Sequence, residues 1–271
     1  MGLTKLILKF AAPLPKIETY QRYLFIGPHP DDIEIGAGAT AAKLASNGKD
    51  VCFLICTDGR FGDGNAPDGI HGQTLIDLRK EEAKRSAAIL GVTDVRFLGL
   101  SDGGFYETND LERGIAKVID DFKPDVIFAP DPCVTSECHK DHINVGNVAK
   151  QMAYFAPYAG IMKEYLANDT TFSSENTGIT HGANVQALAY YMTAKPTQYI
   201  KITGRFLKKQ LSSIFDCHLS QFPKGSAEGN SIRLYLTLRS LDFGLRSFKG
   251  RAEGFRVLGV TQMHCLPEAG K

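Results

Sequence analysis

The chain has 271 residues, 43% of them hydrophobic and 23% charged, enough apolar content to bury a full core in one soluble domain spanning 1–271. Its 31 basic residues stand against 30 acidic ones, a formal charge of +1 with no long run of either sign; this excludes the footprint of a nucleic-acid or membrane-surface binder and points to a small partner without strong negative charge. Six cysteines (52, 56, 133, 138, 217 and 265) lack both the density of a disulfide framework and the spacing of a structural zinc knot, so they read as reduced thiols in a cytoplasmic protein.

Residues 1–20 begin with an apolar stretch that Lys9 interrupts. It is too short to span a bilayer and offers no uninterrupted apolar region before a cleavage site, which predicts an N-terminal arm docked on the domain. From there apolar runs alternate with helix-period stretches. Strands are predicted near 23–27, 51–57, 95–98 and 125–129, and helices near 36–47, 74–90, 110–122 and 142–155. This rhythm predicts an α/β, Rossmann-like fold: a mainly parallel sheet with helices on both faces and a C-terminal elaboration. Asp110 is placed as the cap of the third helix. Residues 58–73 form a Gly- and Asp-rich loop on the rim of the sheet, a candidate lid. Pro67 stands where a calcium loop needs a ligand, and no glutamate closes the series, which disfavours calcium. From 156 to 184 the chain turns polar and irregular, as long loops serving a site or an interface do. Strands near 186–192 and 198–202, helices near 204–219 and 229–242 and a strand near 255–260 complete the chain, without internal repeats.

Two short clusters carry the chemistry. His29-Pro30-Asp31-Asp32 follows the first predicted strand and His139-Lys140-Asp141-His142 follows the fourth, at the strand ends where open α/β sheets keep their sites. Each alone has an ordinary explanation, an Asp cap on a helix start or a solvated helix terminus. Their joint occurrence at two strand ends favours a common site. The three-residue spacing of His29 to Asp32 lets both side chains face one point, and His139 to His142 repeats it. Two imidazoles and one carboxylate with an open fourth position make a catalytic zinc site, so His29, Asp32 and His142 are assigned to Zn²⁺. Asp31 then suits a general base, and His139, oriented by Asp141, a cation that stabilises an oxyanion. Gly36-Ala37-Gly38 lacks the third glycine of a dinucleotide fingerprint, and close helix packing explains it as well.

With these residues in hand, the chain resembles the LmbE/PIG-L family of zinc-dependent N-acetylglucosamine deacetylases. The matching segments are Gly27 to Gly36, Thr57-Asp58-Gly59, Arg79 to Ala83, Ala129-Pro130-Asp131-Pro132, His139 to His142, Ser220-Gln221-Phe222-Pro223 and Glu253-Gly254-Phe255-Arg256. Ala39 and Lys140 depart from the family pattern but touch no proposed ligand. The resemblance is nearest to the diacetylchitobiose deacetylase type. It implies a Rossmann-like fold and hydrolysis of an acetamide on a glucosamine ring, with the roles above for the two clusters. It also implies that Arg79, together with Asp102, contacts the sugar, a surface ion pair with Glu81 or Glu82 being the alternative for Arg79. The type is oligomeric, which raises the expectation of a homo-oligomer whose tail, Met263 to Pro267, brings His264 to a neighbour's sugar site. Rival readings are a deacetylase of a glucosaminyl conjugate in thiol-cofactor or antibiotic biosynthesis, and a non-catalytic metal- or nucleotide-binding module.

Overall fold

In the computed structural model, strands β1 (Arg22–Gly27), β2 (Asp50–Thr57), β3 (Asp94–Leu100), β4 (Val126–Pro130) and β5 (Ala187–Tyr191) run parallel in the order β3-β2-β1-β4-β5. The sheet continues antiparallel through β7 (Ala252–Gly259) to β6 (Gln198–Lys201). The structure describes residues 7, 10–167 and 182–264. Parts of the expected arm (1–6, 8 and 9), residues 168–181 of the expected irregular region and the tail from Cys265 lie outside the described residues.

Burial on both faces explains why the central strands β1, β2, β4 and β5 are apolar without alternation. Tyr23, Phe25, Phe53 and Phe128 point to one side, and Leu24, Ile26, Leu54 and Ile127 to the other. On the first side Phe25 stacks on Phe128 with centroids 4.3 Å apart, and Phe255 meets Phe128 edge-on at 5.0 Å. Helices α1 (Asp32–Ser46), α2 (Gly72–Leu90) and α6 (Gly204–Phe215) cover this face with Ile33, Leu44, Ala83, Ala87, Phe206 and Leu207. Helices α3 (Thr108–Phe122), α4 (Lys140–Phe155) and α5 (Ala159–Ala167) cover the other. Helix α7 (Ala227–Arg246) packs beside β7. Among the described residues no helix is long and apolar enough to cross a membrane.

Several boundaries differ from those expected, for identifiable reasons. Helices α1 and α4 start at Asp32 and Lys140, earlier than expected, so the first cluster leads into α1 with Asp31 as its N-cap and the second opens α4 with His139 as its N-cap. Asp110 is not the cap of α3: the helix starts at Thr108 after Glu107, and Asp110 stands in the first turn, where the helix dipole favours a carboxylate. Part of the region expected to be irregular is helical, because Met162 and Leu166, four residues apart, both bury against the α3 and α4 side.

Helix α1 breaks internally at Ala37 (φ −152°, ψ 16°). The glycines on either side allow it: Gly36 lies under the Tyr191 ring and Gly38 against the Gln210 side chain. The break frees backbone donors that Glu253 of β7 satisfies. Its Oε2 accepts from the Thr40 N–H at 2.7 Å, and its Oε1 from Ala39 N–H at 3.3 Å and Gln210 Nε2 at 3.0 Å. Burial, outweighing these bonds, pushes the Glu253 carboxyl up to about 7. An unfolded glutamate titrates near ~4.3, so this group's stabilising contribution is complete below that value and is lost as pH rises through about 7. Glu253→Gln cannot titrate. Its unfolding free energy relative to the parent should therefore improve by roughly 1 kcal/mol per pH unit between about pH 5 and 7 and then level off. Urea unfolding across that range checks this; a pH-independent gap would mean that Glu253 titrates normally.

Candidate active site

Strands β1 and β4 are neighbours, yet the chain leaves β1 toward β2 on one side and reaches β4 on the other, and this reversal opens a crevice at their carboxyl ends. The first turns of α1 and α4 bring the two clusters face to face there. His29 is the hub. Its backbone N–H donates to Asp32 Oδ2 at 2.8 Å, and its Nδ1 is 3.0 Å from the same oxygen. Its Nε2 lies 3.0 Å from Asp102 Oδ1 and 3.2 Å from Asp141 Oδ2. Asp32 Oδ2 also stands 3.4 Å from His142 Nε2, while His142 Nδ1 faces Glu137 Oε2 at 3.2 Å.

The imidazoles of His29, His139 and His142 offer nitrogens that all lie within 4.8 Å of one another, and a second such group joins His29, Asp102, His139 and Asp141. Burial would weaken every charge here, but the partners outweigh it. Asp32 is held well below the carboxylate range by His142 and His29, while His29 is raised well above the ordinary imidazole value by Asp102, Asp141 and Asp32. His142 is raised too, chiefly by Asp32. The crevice thus favours positive charge among mixed imidazole and carboxylate donors. That donor chemistry fits a divalent ion of the zinc type, and Glu137 behind His142 Nδ1 is the carboxylate–histidine arrangement that orients a metal-ligating imidazole.

Asp31 has a different environment from its neighbour. It occupies the N-cap position of α1 with φ 133°, a conformation costing about 1–3 kcal/mol, yet its side chain makes no capping bond. Its Oδ2 instead lies 3.3 Å from Arg79 Nη2. Arg79 is itself buried, and its guanidinium donates to the carbonyls of Gly59 at 2.9 Å and Pro30 at 3.0 Å. Burial pushes the Asp31 carboxyl up to about 6 against the pull of Arg79, close to the working pH of a general base. His139 is half-exposed; its Nδ1 accepts from the Asp141 N–H at 3.4 Å, which leaves the proton of the neutral ring on Nε2.

Known proteins carry the same architecture. The family model described as "PIG-L: GlcNAc-PI de-N-acetylase" matches residues 24–153. Diacetylchitobiose deacetylase of Thermococcus kodakarensis is 32% identical over 268 residues, covering 98% of this chain and 93% of that one. The chain belongs to the PIG-L family. Among solved PIG-L-like structures, N,N'-diacetylchitobiose deacetylase of Pyrococcus horikoshii, complexed with its inhibitor MPG, has a TM-score of 0.80 at 26% identity, covering 98% of this chain and 97% of that one. The 1D-myo-inositol 2-acetamido-2-deoxy-alpha-D-glucopyranoside deacetylase of Kineococcus radiotolerans is 37% identical over only 126 residues, 45% of this chain and 35% of its own.

The residues expected to contact substrate in this PIG-L chain lie in three different places. Arg79 makes no ion pair with Glu81 or Glu82: Glu82 accepts from the Ser220 N–H at 2.9 Å and hydroxyl at 2.6 Å, Glu81 pairs with Lys84, and Arg79 points inward to Asp31. Asp102 is buried, with Oδ1 on His29 and Oδ2 accepting the Phe61 N–H at 3.3 Å. His264 is exposed and stacks on Tyr154 with centroids 5.1 Å apart. Tyr154 is twelve residues, about 18 Å, along α4 from His142, so His264 stands far from the site of its own chain.

Glu137 escaped the sequence reading, although an acid two residues before a candidate histidine is a usable signal. Asp131 and Arg256 were noticed only as motif matches. They form a buried bidentate pair, Arg256 Nε to Asp131 Oδ2 at 2.9 Å and Nη2 to Oδ1 at 2.5 Å, that ties the end of β4 to β7 beneath the crevice.

Proposed function

We propose that this chain is a cytoplasmic zinc-dependent N-deacetylase that hydrolyses the acetamide of an N-acetylglucosamine-containing small molecule, N-acetylglucosamine or diacetylchitobiose. The observation that carries the proposal is a base-like carboxyl, Asp31, adjacent to the His29, Asp32 and His142 donor set and paired with Arg79 rather than with its imidazoles. The near full-length likeness to the Thermococcus enzyme supports the substrate class, whereas the likeness to the Kineococcus enzyme stops at less than half the chain and favours the glucosaminyl-conjugate reading less. Exposed free thiols at Cys133 and Cys138 suit a reducing compartment.

His29, Asp32 and His142 would hold the zinc ion, which when bound would supply Lewis-acid polarisation of the acetamide carbonyl and of the attacking water. Asp31 takes the proton from that water and carries it to the departing amine. His139 donates from Nε2 to the oxyanion formed as water adds, with Asp141 fixing the ring. The C–N bond then breaks, and acetate and the free 2-amino sugar leave. Arg79 keeps Asp31 in its left-handed backbone conformation and Asp102 holds His29.

Two features suit a sugar. Phe61 and Phe105 form an exposed edge-to-face pair, centroids 5.9 Å apart, at the lip beside Asp102, where the apolar side of a pyranose can lie. A cleft of about 310 Å³ adjoins Glu137 and is lined by Met192, Thr193, Tyr235 and Arg239. The decisive experiment measures acetate released from N-acetylglucosamine, diacetylchitobiose and the inositol conjugate, with bound metal quantified on the same sample. Turnover should be highest on the first two, vanish on chelation and return with Zn²⁺. Full activity in a verified metal-free preparation, or no acetate from a zinc-loaded one, would refute the assignment.

A further inference from the structure

Helix α7 has two apolar faces. Leu236 and Phe243 turn inward, Leu236 against the cluster of Ile214, Phe215 and Phe222, and Phe243 against Tyr199 with ring centroids 5.5 Å apart. On the opposite side Leu234, Leu238, Leu241 and Leu245 are 59%, 54%, 37% and 74% exposed, and Phe248, just past the helix, is 97% exposed. Ala227, Ser231, Leu234, Leu238, Leu241, Leu245 and Phe248 follow one another at alternating intervals of four and three residues, the seam of a coiled coil. Isolated exposed leucines are ordinary on a protein surface, but a continuous row of them marks an interface. Phe248 adds an independent sign. Its backbone is left-handed (φ 55°), a conformation costly for a bulky residue, and a ring 97% exposed gains almost nothing from the other described residues in return.

We propose that this seam is a homodimer interface in which α7 packs antiparallel against α7 of a second copy of this chain across a two-fold axis. Three observations select that occupant. The seam is narrow, as for one facing helix, whereas a membrane-bound helix presents a broad apolar face beside free cations. The arginines flanking it are tied back instead: Arg233 lies over Phe215 at 4.4 Å, Arg239 over Phe243 at 4.8 Å while donating to the Thr193 carbonyl at 2.9 Å, and Arg246 pairs with Asp242 at 2.8 Å. The row is also complementary to itself. A two-fold axis between Arg239 and Ser240 sets Leu234 against Leu245 of the partner subunit, Leu238 against Leu241 of the partner subunit, and small Ser231 beside large Phe248 of the partner subunit. Finally, the antiparallel arrangement lays the acidic first turn, with Glu228, beside the basic end at Arg246 and Lys249, and opposes the two helix dipoles.

Sedimentation equilibrium of the full chain tests this. The parent should contain an even number of chains. Leu238→Glu/Leu241→Glu should sediment at half the parent mass while keeping its circular dichroism. Leu245→Glu alone, at the rim, should weaken association by about tenfold, and it decides the matter should the double variant fail to fold. A monomeric parent would overturn the proposal, as would a double variant of unchanged mass or an unchanged dissociation constant in Leu245→Glu. Binding of the parent to phosphatidylserine vesicles, lost in the double variant, would assign the seam to a membrane instead.

Discussion

Asp31→Asn is expected to lower kcat for deacetylation by about 10² to 10⁴ while leaving bound metal at the parental level, the size of effect that follows loss of a positioned general base. The substitution is nearly isosteric. The amide oxygen can still accept from Arg79 Nη2, and asparagine adopts the left-handed region represented by φ 133° at least as readily as aspartate, so the α1 turn should survive. What disappears is a carboxyl that burial has raised to about 6 and that can gain and lose a proton near neutral pH. Asp32, one residue away, cannot substitute, because it is held well below the carboxylate range by His142 and His29 and is turned toward them. The loss should fall on kcat rather than KM, since Asp31 acts on water and the amine and not on sugar hydroxyls. Steady-state acetate release with metal analysis on the same preparation measures both quantities. Parental kcat in Asp31→Asn would remove Asp31 from the mechanism, and loss of metal would make it a ligand.

The contrast between Asp31 and Asp32 shows what the amino-acid sequence discloses. The apolar runs of β1, β2 and β4 are buried on both faces and flanked by helix-period segments, so the parallel sheet and the meeting of the two clusters at its carboxyl rim were legible from periodicity alone. The three-residue spacings brought out His29 with Asp32 and His139 with His142 for the same local reason. Contacts across long sequence separations were not legible. His29 finds Asp102 across 73 residues and Asp31 finds Arg79 across 48, distances over which no pattern in the chain specifies a partner. Arg79 was therefore expected on the sugar, or in a surface ion pair with Glu81 or Glu82, and not on Asp31, although α2 turns it inward on the same side as Leu75, Ile76, Glu82 and Ala83. Helix α7, expected near 229–242, runs from Ala227 to Arg246, and its outer row at Leu241 and Leu245 does not belong to the inward face that carries Leu236 and Phe243. The break at Ala37 was hidden too, since it depends on Glu253 arriving from β7 to satisfy the freed amides.

His142→Ala should yield protein that purifies without its metal and turns over at the background rate, and added Zn²⁺ should not restore it at concentrations that saturate the parent. In the proposed ligand set His142 is the one member contributed by α4, joined to Asp32 through Nε2 and steadied by Glu137 through Nδ1. Its loss leaves the proposed set with only His29 and Asp32, both from the β1–α1 turn. The informative comparison is His139→Ala, because the three imidazoles are so closely grouped, with ring centroids 4.6 to 5.3 Å apart, that proximity alone does not distinguish ligand from acid. His139 is half-exposed and held through a backbone amide, as a group that meets substrate would be, whereas His142 is more buried and held by a carboxylate, as a ligand would be. His139→Ala should therefore keep its metal and lose kcat by about 10² to 10³, the usual cost of removing one oxyanion donor. Metal analysis by mass spectrometry on both variants separates the roles without reference to activity. Retention of metal in His142→Ala together with its loss in His139→Ala would exchange the two assignments and place the metal between His29, His139 and the Asp102–Asp141 pair, the second donor group in the crevice.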